Sequence, residues 1–92
     1  MKILLPPSFL EMLEMLPQQD RANVLLAVAK LQQAFKHPHE HSGLGLRKLR
    51  PHIWEIRINL DIRVVFRLFN DVAEIDLVGN HDDVQRYLKS IR

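Results

Sequence analysis

No cysteine occurs in the 92 residues, so disulfide frameworks, CxxC redox pairs and thiolate metal sites are all excluded. Glycine is scarce. Of the three present, Gly43 and Gly45 open no helix, which rules out a phosphate-cradling P-loop. No apolar run approaches the ~20 residues that span a bilayer. Met1-Lys2-Ile3-Leu4-Leu5-Pro6-Pro7 is too short for a signal-peptide core, and a cytoplasmic chain is expected. Nucleophilic serine triads and carboxylate pairs in catalytic surroundings are also missing. What is present, 47% apolar and 26% charged residues, suits one folded domain spanning 1–92 with room for a single surface site.

Net charge is only +2, but it is unevenly distributed. Lys36 to Arg67 holds seven Lys/Arg against three acids, with four of the five histidines; Asp71 to Asp83 holds five acids and no Lys/Arg. A basic block of this kind suits a polyanionic partner as well as a solvated face.

Lys2 to Leu5 reads as a short strand stopped by Pro6-Pro7. Phe9, Leu13 and Leu16 then have helical spacing up to Pro17, with Ser8 as a candidate cap. A second helix from Gln18 to Lys36 carries Val24, Val28, Leu31 and Phe35 on one stripe, and the short connection predicts an αα-hairpin. His37 to Gly45 is a loop. Beyond it the period switches to two: Trp54, Ile56, Ile58 and Leu60, then Ile62, Val64, Phe66 and Leu68, then Ala73, Ile75 and Leu77 alternate mostly with polar residues. Val84, Leu88 and Ile91 return to helical spacing over His81 to Ile91. The expected class is α+β. An N-terminal strand and αα-hairpin pack on one face of a mainly antiparallel four-stranded sheet, with a short C-terminal helix.

Residues opposite one another in a ladder share a face, so registers follow from the turns. A three-residue Leu60-Asp61-Ile62 turn pairs Asn59 with Arg63, Arg57 with Val65 and Glu55 with Arg67. A two-residue Asn70-Asp71 turn pairs Arg67 with Glu74, Val65 with Asp76 and Arg63 with Val78. On these registers Arg67 is a structural partner of acids, while Arg57 and Arg63 have none directly opposite and suit an anion site. Arg47, Lys48 and Arg50 enter the sheet as a basic run fit for phosphate contacts. Trp54 has core-facing parity. His37, His39, His41 and Glu40 match no standard metal spacing, and a solvated loop accounts for them better.

Lys48-Leu49-Arg50, Ile53-Trp54-Glu55-Ile56-Arg57-Ile58, Ile62-Arg63-Val64-Val65-Phe66 and Leu77-Val78-Gly79-Asn80-His81-Asp82-Asp83 with Tyr87 together resemble the RelE/ParE superfamily of toxin–antitoxin toxins. The resemblance covers the whole chain. In the RelE branch it implies a metal-independent endoribonuclease, without cofactor, that cuts mRNA in the ribosomal A site and is neutralised by a cognate antitoxin. The ribose 2′-hydroxyl attacks the adjacent phosphate, which calls for a base, cations and an acid. Arg63 matches the family's phosphate-holding arginine, Arg57 a basic residue one strand earlier, Tyr87 the C-terminal tyrosine, and His81 a position that is arginine or histidine. The catalytic expectation is therefore Arg63, His81 and Tyr87, with Arg47, Lys48, Arg50 and Arg57 binding RNA. Glu55 stands where RelE has a lysine, which removes one cation. A ParE-like gyrase inhibitor and a catalytically silent binding module on the same scaffold are the alternatives.

Overall fold

A computed structural model describes residues 1–36 and 44–91. The expected loop histidines His37, His39 and His41, with Glu40, lie outside the described residues. The elements run β1 (Lys2–Leu4), α1 (Pro7–Glu14), α2 (Gln18–Lys36), β2 (Leu46–Arg50), β3 (Ile53–Arg57), β4 (Arg63–Phe69), β5 (Val72–Gly79) and α3 (His81–Ser90). The strands form one sheet in the order β1-β5-β4-β3-β2, antiparallel except for the β1–β5 pair. The class is as expected, but the sheet has five strands, because the basic run Leu46–Arg50 pairs with β3 as an edge strand.

Each element follows from local chemistry. Pro7 starts α1, where its missing N–H costs nothing, and Pro6 rather than Ser8 occupies the cap position. Phe9 and Leu13 on α1 and Val24, Val28 and Leu31 on α2 are buried against Ile56, Val64, Phe66, Ala73 and Ile75 of the sheet. Phe35 adds edge-on contacts to Trp54 and Phe66, with ring centroids 5.3 and 6.3 Å apart. The α2 stripe and the inward parity of Trp54 are as the spacing predicts. Asn70 and Asp71 both take positive φ, the conformation a tight two-residue hairpin turn demands. Asp71 also receives the N-terminal ammonium at 3.2 Å, tying β1 beside β5.

The second face of the sheet is not bare. Val84 and Leu88 of α3 pack on Ile53 and Val65, with Leu49, Leu77 and Tyr87 around them. Val64, Val65 and Phe66 are consequently all fully buried, as happens to a central strand covered on both sides. One irregularity, in β5, shapes this second face. In β5, Val65 pairs with Leu77 but Phe66 with Ile75, leaving Asp76 as an extra, bulged residue. The bulge sends Leu77 to the α3 side, so the expected alternation of Ala73, Ile75 and Leu77 breaks after Ile75. In β2, Leu46 joins the helical-hairpin core while Leu49, three positions on and so of opposite parity, joins the α3 cluster.

Phe66 has no exposed surface and sits where both helices of the hairpin meet the sheet. Truncating it, Phe66→Ala, is expected to cost about 4 kcal/mol. Urea unfolding measures this, and a midpoint close to wild type would contradict the packing described.

Candidate functional site

The β3–β4 register differs from the expected one. Arg57 faces Arg63, Glu55 faces Val65 and Ile53 faces Arg67. Asn59 is the cause: its side-chain oxygen accepts the backbone N–H groups of Asp61 and Ile62, both at 2.8 Å. That local turn takes Asn59 out of the ladder, and β3 ends at Arg57. The pairing slides by two residues. Faces are preserved, but cross-strand partners change.

The change redistributes the charges. Glu55, expected beside Arg67, instead lies 3.4 Å from Arg63 Nε, with the two side chains 8% and 13% exposed. Arg63 is therefore not the unneutralised cation that the sequence predicts. Arg47 lies directly across from Glu55 on β2. Arg57 stays exposed, and among the described residues neither Arg47 nor Arg57 has a carboxylate within ion-pair range.

These groups line a cleft of about 410 Å³ between the β2–β4 end of the sheet and the start of α3. Arg47, Arg57, Arg63 and Glu55 come from three strands, and His81, Val84 and Gln85 from α3. Gly45 shapes one wall. Its φ of 67° is available to glycine, and its carbonyl accepts the Arg57 N–H at 3.1 Å. His81 is held by the helix cap: Asn80 accepts from Asp83 N, and Asp83 accepts from Asn80 N, each at 2.9 Å. Gly79 permits this box, since a Cβ there would meet the Asp83 carboxylate at 2.6 Å. His81 and Arg63 also line a shallower depression together with Asn80 and Asp82.

Tyr87 is elsewhere. Six residues after His81, about one and two-thirds helical turns, it leaves the helix in another direction. Its hydroxyl donates to Asp76 Oδ2 at 2.7 Å, and the same oxygen receives Arg67 Nε at 2.6 Å. Arg67 Nη2 reaches Glu74 at 2.5 Å. Arg67 is the structural cross-strand partner the sequence predicts, with Asp76 added by the bulge. The Asp76 hydrogen bond holds the Arg67 guanidinium even further above its ordinary range. Partial burial first, and then the Asp76 carboxylate, raise the Tyr87 phenol well above its ordinary value. The structure thus brings Arg47, Arg57, Arg63 and His81 to one cleft and leaves Tyr87 outside it.

Of the expected RNA contacts, Lys48 also lies outside the cleft. Its ammonium sits 5.8 Å over the Trp54 ring, on the helical-hairpin side of the sheet. Arg50 pairs opposite Ile53 beside the Pro51–His52 turn, away from the cleft lining. From the sequence, Glu55 reads as a cross-strand partner of Arg67 and as a lost cation, not as part of the cleft. A charged residue with the parity of Ile53 and Val65 was the available signal, and it needed the correct register to be read.

The fold has known structural counterparts. The RelB–RelE antitoxin–toxin complex from Methanococcus jannaschii matches with a TM-score of 0.67 at 15% identity, over 91% of this chain and 96% of that one. The YoeB/ParE toxin from Agrobacterium tumefaciens matches with a TM-score of 0.62 at 22% identity, over 88% and 99%. The YoeB–YefM complex from Staphylococcus aureus gives 0.59 at 20% identity, over 88% and 97%. No protein-family model and no curated protein matches the sequence. The fold is that of the RelE, YoeB and ParE-type toxins, as the sequence resemblance implies. Among the described residues no helix is long and apolar enough to cross a membrane.

Tyr87 generates a clean prediction, because it is the chain's single tyrosine. Losing its hydroxyl in Tyr87→Phe removes a bond to a charged acceptor and should cost about 1.5 kcal/mol at neutral pH. The folded-state pKa is raised, so this stabilisation is complete below the ordinary phenol value and is lost as pH rises through the raised one. Urea unfolding on both sides of that ordinary value, alongside phenolate absorbance, should show the wild type losing its advantage over Tyr87→Phe only in alkali. Equal stabilities at neutral pH would show that the Asp76 contact contributes nothing.

Proposed function

We propose that this chain is the toxin of a type II toxin–antitoxin pair and that it cleaves mRNA in the ribosomal A site by metal-independent attack of the 2′-hydroxyl. The observation that carries this reading is the convergence of Arg47, Arg57, Arg63 and His81 on one cleft. Three guanidiniums from adjacent strands suit a phosphodiester and the extra charge of its pentacoordinate transition state. An imidazole at the rim can pass a proton to the leaving 5′-oxygen. Arg57, exposed and without an acidic partner among the described residues, holds the phosphate from the solvent side, and Arg63 from the floor. Tyr87 serves as a positioning residue, fixing α3 and thereby His81.

A cognate antitoxin is the natural partner, since two of the matched structures are antitoxin–toxin complexes. An antitoxin segment with acidic side chains would fold across the arginine cleft and block it. Gyrase inhibition remains a separate activity for this fold, and a protein-binding inhibitor has no use for an imidazole poised beside arginine.

The test uses His81→Ala and Arg57→Ala, both at exposed positions, so folding should survive. Induced expression with mapping of mRNA 5′ ends should show codon-phased cleavage by the wild type. On programmed ribosomes, His81→Ala should lower the single-turnover rate ~10²-fold or more. Intact mRNA together with DNA-damage induction would move the protein to gyrase. Cleavage by His81→Ala at the wild-type rate would take the imidazole out of the mechanism.

A further inference from the structure

Gln85 is the one amide side chain among the described residues that line the cleft, and no step of the proposed cleavage uses it. An exposed glutamine on a helix is ordinarily just solvated. Its neighbours on α3 engage their polar groups within the fold: Asp83 in the cap, Arg86 with Asp83, Tyr87 with Asp76, Ser90 with a backbone carbonyl. Gln85 is exposed, and among the described residues no hydrogen bond holds its amide. Its position sets it apart. Four residues after His81, it shares that face of α3 and lies ~6 Å further along the helix axis. The cleft changes character over the same interval. Along β3, Arg57 stands at one end beside Arg63, and Ile53, where Val84 and Leu49 pack, stands ~13 Å away at the other. One end is cationic and the other apolar, with a free amide on the wall.

We propose that Gln85 reads a base flanking the scissile phosphate and selects adenine, an inference that rests on the reading of this cleft as an RNA-cleaving site. A nucleotide has the same two-part layout as the cleft: an anionic phosphate, then a flat base with apolar faces and a polar edge. With the phosphate on the arginines, the base falls against Leu49 and Val84, beside the Gln85 amide. Apart from His81, no ring among the described residues lines the cleft. Aromatic stacking, which grips every base alike, is therefore a minor part of the contact, and edge hydrogen bonds decide the choice. Single-stranded RNA leaves those edges free. Adenine sets the N6 amino donor beside the N7 acceptor, and a glutamine amide meets both at once. Guanine offers two acceptors on that edge, so the amide oxygen would face another oxygen. Cytosine offers one donor and uracil one acceptor, and each engages only half of the amide.

Single-turnover cleavage on ribosomes programmed with messages that differ in one base provides the test. Adenine, guanine, cytosine and uracil are placed in turn on each side of the cleaved bond. The wild type should cut the adenine message ~10-fold faster or more at one of the two positions. Gln85→Ala should bring the four rates to within about a factor of two of one another. Gln85→Glu exchanges the amide donor for a second acceptor and should move the preference towards cytosine, whose N4 amino group donates. Each comparison is a ratio within one variant, so a fall in the folded fraction cancels. A preference imposed by the ribosome is common to wild type and variants. A structural role for Gln85 would lower all four rates in proportion; an adenine preference that survives in Gln85→Ala overturns the assignment. Wild-type protein that cuts all four messages equally overturns it too and leaves the nuclease reading standing. RNA left uncut by folded wild-type protein would remove the nuclease reading itself, and the base reader with it.

Discussion

The packing of α3 across the second face of the sheet decides most of what this molecule can do. Val84 and Leu88 press on Ile53 and Val65, and that contact dries only part of the face. Where the helix lies, Tyr87 reaches Asp76 beside Arg67. Where its N-terminus stops short, the sheet is left as the floor of a cleft, with the capped His81 at the rim. A longer helix would bury the arginines; with none, Glu55 and Arg63 would sit in bulk solvent and interact weakly. The half-covered face creates a low-dielectric floor that remains open on one side.

Much of this fold was legible because it obeys simple periods. The α2 stripe, the strand alternation from Trp54 to Ile56 and from Val64 to Leu68, and the Asn70-Asp71 turn all act through local rules, and each is present. What escaped were places where one residue changes its allegiance. Asn59 reads as a strand residue until its side chain is seen bonding the turn. Leu46–Arg50 reads as a charged run because its two leucines, three apart, lie on opposite faces of the strand and each meets a different core. The Asp76 bulge is invisible to any period-two pattern, yet it places both Asp76 and Leu77 on the α3 side.

The site was legible in its parts but not in its pairings. Arg63 and His81 meet as the sequence implies, since both flank the β5–α3 junction. A slide of two residues in one hairpin then exchanged the partners of Arg63 and Arg67 without moving either off its face. Such a slide leaves hydrophobic patterning untouched, so patterning cannot detect it. Only the turn chemistry at Asn59 distinguishes the two registers, and turn chemistry was the weakest part of the sequence signal.

Fold likeness at this level of identity does not by itself choose among activities, and the two arginine environments show where the choice is made. Four residues apart on β4, about 13 Å, the same side-chain type meets opposite treatments. Arg67 is clasped by two carboxylates and a phenol that shares one of them, which leaves it little capacity for a ligand. Arg63 has a single carboxylate, Glu55, 3.4 Å from its Nε. Both arginines suit a folded sheet equally well, so stability does not require the difference. It follows from sequence on either side, Glu74 and Asp76 near one, Arg57 and Arg47 near the other. A cleft kept under-neutralised in this way is the charge balance that the proposed RNA substrate calls for.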